Sequence, residues 1–253
     1  HERLVGSEMC IRDSSIGADY IATGHYARIE QLANGRYAIA NSVTAAKDQT
    51  YALYNLTQEQ LARTLMPVGE YSKDRIREMA DEIGLLVAHK PDSQDICFVP
   101  DGDYASFIEN TTDQVLPTGN FVTPEGKVLG KHKGIIHYTV GQRKGLGLAL
   151  GYPAFVLEIR PETNEVVIGT YEESLTYTVR ANELNFMSVE QITEPVRIFA
   201  KIRYNHKGAW CTVERTGEDE IVCTFDEPIR AATPGQAVVL YDGEYVLGGG
   251  TIL

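Results

Sequence analysis

The 253-residue sequence predicts an α/β region followed by a β-rich region. A short apolar strand over residues 19–23 leads to two amphipathic helices within residues 57–84, an order typical of an α/β domain. From about Leu116 the pattern changes to short strands separated by glycine turns. From about Tyr177 strands and turns alternate to the last residue, and that spacing suits a small barrel or sandwich.

The first predicted strand, Asp19-Tyr20-Ile21-Ala22-Thr23, should be buried and should end at Gly24 and His25. In open α/β sheets ligands bind at the carboxyl ends of strands, so both residues occupy a candidate site position. A structural histidine at the end of a strand is the alternative interpretation.

A β-hairpin is expected next, over residues 26–32 and 36–40, because Asn34-Gly35 is a strong turn signal. A compact polar cluster, Lys47-Asp48-Gln49-Thr50-Tyr51, follows it. A solvated turn would explain this cluster without any binding role.

Two helices close the α/β region. The first begins at the capping box formed by residues 57–60 and is expected to bury Leu61 and Leu65. The second starts after Ser72 and ends at Gly84, which suits a C-terminal cap. One face of the second helix carries Ile76, Met79, Ala80 and Ile83.

Cys97 is the cysteine whose neighbours indicate a site, in Asp92-Ser93-Gln94-Asp95-Ile96-Cys97-Phe98. A buried cysteine acting as a small apolar side chain is the alternative. The two neighbouring carboxylates disfavour a thiolate unless a base or a helix terminus offsets them. Cys211 and Cys223 fall in strand patterns and should face a core, opposite each other if their hairpin centres on Gly217.

Composition restricts the function classes. No apolar run approaches the length of a membrane span, and four cysteines in so long a chain predict a reducing compartment, the cytoplasm, rather than a disulfide framework. The net charge of −12 argues against non-specific nucleic-acid binding. Two acid-free basic runs nevertheless suit a polyanion that docks in one place: Lys127, Lys131, Lys133, Arg143 and Lys144 within residues 126–145, and Arg197, Lys201, Arg203 and Lys207 within residues 197–207.

The glycine-rich stretch His137 to Gly147 lacks the spacing of a phosphate-binding P-loop and is expected to be a hairpin with an exposed basic tip.

We divide the chain into a non-native-looking tail with Cys10 (1–16), an α/β segment (17–115), a central β-rich domain (116–176) and a C-terminal β-barrel (177–253).

Several landmarks occur in an order that closely resembles the bacterial tRNA-specific 2-thiouridylase family, from about Gly17 to Leu253. They are residues 17–26, Lys47 to Tyr51, Asp92 to Phe98, His137 to Gly147, Arg203-Tyr204, Thr233-Pro234-Gly235-Gln236 and Leu247-Gly248-Gly249-Gly250.

The resemblance implies an enzyme that replaces the C2 oxygen of the anticodon wobble uridine with sulfur. ATP, with Mg²⁺, adenylates the oxygen, and a cysteine persulfide supplies the sulfur. Cys97 matches the persulfide-carrying cysteine, and Gly24 matches an ATP contact. Residues that match tRNA contacts are His25, Lys47, Asp48, Gln49, Arg203, Tyr204 and Gln236. The implied partners are the tRNA anticodon arm and a sulfur-relay protein or cysteine desulfurase, with no membrane and no structural metal.

The implied fold is the C-terminal part of an adenine-nucleotide α-hydrolase-like (PP-loop) domain, followed by a central β-rich domain and a β-barrel. The family's phosphate loop, Ser-Gly-Gly-x-Asp-Ser, and its upstream catalytic cysteine do not occur in these 253 residues. We therefore expect a truncated sulfurtransferase that is inactive as given. Two alternatives remain, an RNA-binding fragment without activity and a thiol redox protein that uses Cys97 alone.

Overall fold

The computed structural model describes residues 17–86, 88, 99, 104–112 and 117–253. These residues form two compact units. The first unit combines the described residues up to position 88 with Tyr177–Glu227 and Thr233–Leu253. The second combines the described residues from position 99 to Thr176 with Pro228–Ala232.

The N-terminal part of the first unit contains two helices and four strands, with short 3-10 turns between them. The elements are β1 (Ile21–Ala22), β2 (Ala27–Gln31), β3 (Tyr37–Asn41), α1 (Gln58–Ala62), β4 (Thr64–Leu65) and α2 (Lys73–Glu82), and the 3-10 turns are Ala45–Lys47, Thr50–Leu53 and Pro67–Glu70.

The first helix confirms one expectation and corrects another. The capping box of α1 is complete, because the Thr57 hydroxyl accepts from the Gln60 amide and the Gln60 side chain accepts from the Thr57 amide. Leu61 is buried as predicted, but Leu65 is half exposed. The helix ends at Ala62, so Leu65 belongs to β4 and pairs with β1 in parallel. The prediction for Leu65 was therefore wrong.

The predicted first strand is shorter and more exposed than expected. Only Ile21 and Ala22 are extended, and the neighbouring Tyr20 is 60% exposed. Among the described residues β1 pairs only with β4, so this two-stranded sheet has no further strands to bury its faces. The second helix matches its predicted limits, with Ser72 as its N-cap and Gly84 at a positive φ of 72°.

The second unit contains one described helix and a four-stranded sheet. Its elements are α3 (Tyr104–Thr111), β5 (Gly119–Val122), β6 (Val128–His132), β7 (Phe155–Arg160) and β8 (Glu165–Gly169), with strand order β6-β5-β8-β7. Its core is built from Phe121, Tyr138, Leu146, Ala154, Val156, Val166 and Ile168. The prediction of a glycine-rich hairpin at His137 to Gly147 is wrong. Residues 138–154 contain no strand, and Tyr138 and Leu146 are part of this core.

The remaining strands form a six-stranded barrel. They are β9 (Leu175–Phe186), β10 (Val196–Lys201), β11 (Ala209–Gly217), β12 (Glu220–Arg230), β13 (Ala237–Asp242) and β14 (Tyr245–Ile252). Their order is β13-β10-β11-β12-β9-β14, and β14 pairs back with β13 to close the ring. The predicted C-terminal barrel is confirmed.

The hairpin of β2 and β3 extends the barrel sheet, through a pair between Tyr245 and Ala40. Gly249 in β14 permits close packing against Val238 and Tyr54, since a Cβ on this residue would lie 2.5 Å from the Val238 carbonyl oxygen and 2.7 Å from the Tyr54 ring. Ile39 of the hairpin and Val239 of the barrel belong to the same buried core. No helix in the described part of the chain is long and apolar enough to cross a membrane.

Candidate nucleic-acid interface

The predicted sulfur carrier, Cys97, lies outside the described residues, as does Cys10. Cys211 and Cys223 are fully buried in the barrel, which confirms them as core residues. They are diagonal rather than opposite, because Cys211 pairs with Phe225 and Cys223 pairs with Val213. The turn of their hairpin lies at residues 218–219, because Gly217 pairs with Glu220. Burial and the hydrogen bond between the two thiols raise the pKa of Cys223, and the hydrogen bond is the larger cause.

Gly24 and His25 follow β1, as predicted. Gly24 is exposed, and a Cβ there would lie more than 4 Å from any other described residue that does not adjoin it in sequence. The His25 ring is half-buried, with its Nδ1 3.0 Å from the Thr23 hydroxyl, and burial lowers its pKa. The next residue, Tyr26, exchanges two hydrogen bonds with Gln49, so two of the predicted tRNA-contacting segments lie side by side.

Asp48 is the best-anchored residue of the polar cluster. Its Oδ2 accepts from the Ser42 amide at 2.9 Å, and its Oδ1 accepts from the Thr50 amide at 3.1 Å and from the Thr50 hydroxyl at 2.5 Å. Ser42 and Thr50 are both buried. The cluster is therefore a hydrogen-bonded turn rather than a freely solvated one, and its first residue, the half-buried Lys47, is also the last residue of the 3-10 turn Ala45–Lys47.

A second predicted segment contacts this turn directly. The Tyr204 hydroxyl donates to the Asp48 carbonyl at 3.2 Å, and the Tyr204 ring meets the Tyr51 ring edge-on at 6.2 Å between centroids. Arg203 precedes it in the loop after β10 and is half-buried.

Gln236 lies in the same region, because the next residue, Ala237, is bonded to Tyr51. The buried Tyr51 hydroxyl donates to the Ala237 carbonyl at 2.8 Å, while Gln236 itself is exposed in the turn just before β13. The structure thus brings together, within one unit, residues near positions 25, 48, 204 and 236.

Sequence reasoning missed a pocket of about 240 Å³ beside Asp48. It is lined by Asn41, Ala45, Asp48, Phe199, Lys201, Tyr241 and Gly243, and we call it the β10 pocket. Burial raises the pKa of the Tyr241 phenol, so the phenol stays neutral. The available signal was the alternation of Arg197, Phe199 and Lys201, which places all three on one face of β10.

The second basic run is less positive in the structure than in the sequence. Arg197 pairs with Asp226 at 2.6 Å and lies over the Trp210 ring, 4.7 Å from its centroid. His206 has a lowered pKa, mainly through burial and then through the charges of Arg203 and Lys201, so it adds no charge at neutral pH. Its Nδ1 is buried without a hydrogen-bond partner among the residues that the structure describes.

In the second unit the first basic run is exposed as expected. The exposed side chains are Lys127, Lys131, Lys133, Arg143 and Lys144. His132 among them points inward, accepting from the Gly134 amide at 3.0 Å and contacting the Asn164 carbonyl at 3.1 Å. No group of His, Cys, Asp and Glu in the described ranges could hold a metal ion.

Three family models match the chain in succession. They are described as a tRNA methyl transferase HUP domain over residues 7–101, a tRNA methyl transferase PRC-barrel domain over residues 105–170 and an aminomethyltransferase beta-barrel domain over residues 176–252.

Curated relatives are similar over nearly the whole chain. The tRNA-specific 2-thiouridylase MnmA of Lachnoclostridium phytofermentans is 64% identical over 96% of this chain and 68% of its own length. The proteins of the same name from Clostridioides difficile and Acetivibrio thermocellus are 53% and 54% identical over 94% of this chain, and over 66% and 67% of their own lengths. The chain thus spans about two thirds of the length of these relatives.

Proposed function

Because the chain belongs to the family of tRNA-specific 2-thiouridylases, we propose that it serves in replacing the C2 oxygen of a tRNA wobble uridine with sulfur. The observation that carries this proposal is 64% identity, over 96% of the chain, to a protein named for that reaction. The proposed setting is the cytoplasm.

In this proposal Cys97 carries the transferred sulfur as a persulfide. ATP, when bound with Mg²⁺, supplies the adenylyl group that turns the uridine oxygen into a leaving group. The terminal sulfur of the Cys97 persulfide forms the new bond to C2, directly or after its release as sulfide. Either route needs two electrons to break the S–S bond, which a second thiol supplies by forming a disulfide with Cys97. A thiol reductant then opens this disulfide, and a sulfur-relay protein or a cysteine desulfurase reloads the Cys97 thiol by passing it the outer sulfur of its own persulfide.

The first unit would hold the tRNA. Support comes from the contacts that gather His25, Asp48, Gln49 and Tyr204 into one region, with Gln236 beside it. Amide and aromatic side chains can bond to or stack on unpaired bases, and cations hold phosphates. Lys47 and Arg203 would supply those cations, and Gly24 leaves room for a nucleotide at the end of β1.

The proposed function is tested with a full-length chimeric enzyme. A chimera joins the N-terminal third of the Lachnoclostridium phytofermentans relative to residues 17–253 of this chain and is given tRNA, ATP, Mg²⁺ and a sulfur donor. Retarded migration of the product on a mercury-containing gel is expected. Cys97→Ser should abolish the retardation, whereas the matched control Cys223→Ala, deep in the barrel, should keep it.

A methyl transfer reaction is the second candidate, because two of the matched family models carry that name. The same chimera is therefore assayed with radiolabelled S-adenosylmethionine. Methylated tRNA without thiolated tRNA would overturn the proposed function, as would thiolation that survives Cys97→Ser.

A further inference from the structure

One face of the barrel carries aromatic and basic side chains in register. Phe199 of β10 lies opposite Trp210 of β11 on one side and opposite Tyr241 of β13 on the other. The Phe199 and Trp210 rings meet edge-on at 5.7 Å between centroids, and Trp210 is 48% exposed. Lys201 lies two residues along the same face, with its Nζ 5.8 Å from the centre of the Tyr241 ring. This aromatic face leads into the β10 pocket.

The polar groups of the pocket suit the edge of a base. The Asp48 carboxylate accepts three hydrogen bonds from Ser42 and Thr50, and a carboxylate offers about four acceptor positions, so the described residues leave one for a ligand. Asn41 adds an amide with two N–H donors. Acceptor and donor therefore lie beside an apolar ring, Phe199, which is the combination that recognises an unstacked base.

The cation of this pocket is Lys201. Arg197, on the same face, is neutralised by Asp226 and stacked on Trp210. A flexible ammonium at the pocket mouth suits a phosphate oxygen as a point charge. The volume of about 240 Å³ lies below the roughly 300–1,000 Å³ of pockets that enclose whole drug-sized ligands, so it fits one base with its phosphate outside.

We propose that the β10 pocket takes one unpaired nucleotide of the bound RNA, with its base against Phe199, its edge toward Asn41 and Asp48, and its phosphate at Lys201. The proposal rests on the proposed function, since it assumes that the ligand is RNA. It adds a subsite formed by Asn41, Phe199, Lys201 and Tyr241, four residues outside the segments already assigned to tRNA contact.

The fluorescence of Trp210 reports on binding at the pocket. It is the one tryptophan of the sequence, and its ring contacts Phe199. The 253-residue chain is titrated with an RNA stem-loop that carries an unpaired loop, and separately with the same stem as a blunt duplex. We expect the stem-loop to quench Trp210 fluorescence saturably and to bind more tightly than the duplex.

Two variants and a control assign the contact. Phe199→Leu keeps an apolar side chain but removes the stacking surface, and it should weaken stem-loop binding by about tenfold, within the range for loss of one base–aromatic stack. Lys201→Gln should weaken binding and lower the slope of log affinity against log salt by about 0.7 to 0.9, the value for one phosphate of a single strand or duplex. Arg180→Gln removes a positive charge from the barrel outside the pocket and should leave both the fluorescence response and the affinity within about twofold.

The outcomes separate this proposal from the proposed function. If the stem-loop binds the wild type, Phe199→Leu and Lys201→Gln equally well, or if it leaves Trp210 unquenched, the pocket proposal fails while thiolation by the chimera still stands. Uridine monophosphate that displaces the stem-loop at equal concentration would also overturn it, because the pocket would then serve a free nucleotide. Loss of thiolation in the chimera, with the Trp210 response intact, would instead count against the proposed function alone.

Discussion

Asp48→Asn tests whether the polar turn at residues 47–51 is held by its carboxylate. Asparagine has nearly the same shape as aspartate but replaces one oxygen with an NH₂ group. If the remaining oxygen stays with Thr50, the new NH₂ faces the Ser42 amide, which lies 2.9 Å from Oδ2 in the native turn. If the side chain flips, the conflict moves to the two Thr50 donors. Either orientation leaves a buried donor facing another donor.

The expected cost follows from these contacts. A hydrogen bond to a charged group contributes about 1.5–3 kcal/mol, and a buried donor left unsatisfied costs about 1–3 kcal/mol. Thr50 is fully buried and Ser42 is 6% exposed, so water cannot replace the lost acceptor freely. We therefore expect Asp48→Asn to lower the free energy of unfolding by about 2–3 kcal/mol.

Urea unfolding followed by Trp210 fluorescence measures this loss, because Trp210 lies on β11 in the same unit as Asp48. The matched control is Asp226→Asn, which breaks one surface ion pair with Arg197 and should cost less than about 1 kcal/mol. Equal losses in the two variants would refute the argument. Asp48 would then be free to act through RNA contact alone rather than by positioning the turn.

Two further predictions concern titratable groups. The pKa of His206 is lowered, first by burial and then by two neighbouring cations, so below about pH 6.5 the unfolded chain binds a proton that the folded chain does not. The free energy of unfolding should therefore fall as the pH drops from about 7 to 5, and His206→Leu should reduce this dependence, with the lowered pKa of His25 accounting for a part that remains; an unchanged difference between urea titrations at the two pH values would contradict the prediction. In limited labelling with a thiol reagent, after replacement of Cys10 by serine, Cys97 should react before Cys211 and Cys223, which are fully buried. Peptide mapping that finds either barrel cysteine labelled first would remove the physical support for Cys97 as the sulfur carrier.

Local signals in the sequence predicted local structure well. The capping box at Thr57, the turn at Asn34-Gly35 and the helix end at Gly84 each depend on a few adjacent residues, and each is confirmed. The prediction that the first helix buries Leu65 failed because apolar spacing does not show where a short helix ends. The predicted pairing of Cys211 with Cys223 failed because the hairpin turns at residues 218–219 rather than at Gly217, which places Phe225 opposite Cys211.

Long-range pairing could not be predicted from pattern alone. The β2–β3 hairpin carries the alternation of any half-buried hairpin, and nothing in it indicates that its partner lies some 200 residues later in β14. The β10 pocket depends on that pairing, because Asn41 ends β3 while Phe199 and Tyr241 lie on barrel strands. The resemblance supplied the order of the site segments but not the contacts among them.

Those contacts make the barrel a precondition of the proposed RNA site. Tyr51 packs against Tyr204 and bonds to Ala237, and Thr50 contacts both Asp48 and Tyr241, so the turn at residues 47–51 is fixed by strands of the barrel. A substitution that loosens these barrel strands should therefore also loosen the turn and weaken the RNA binding that we propose for it.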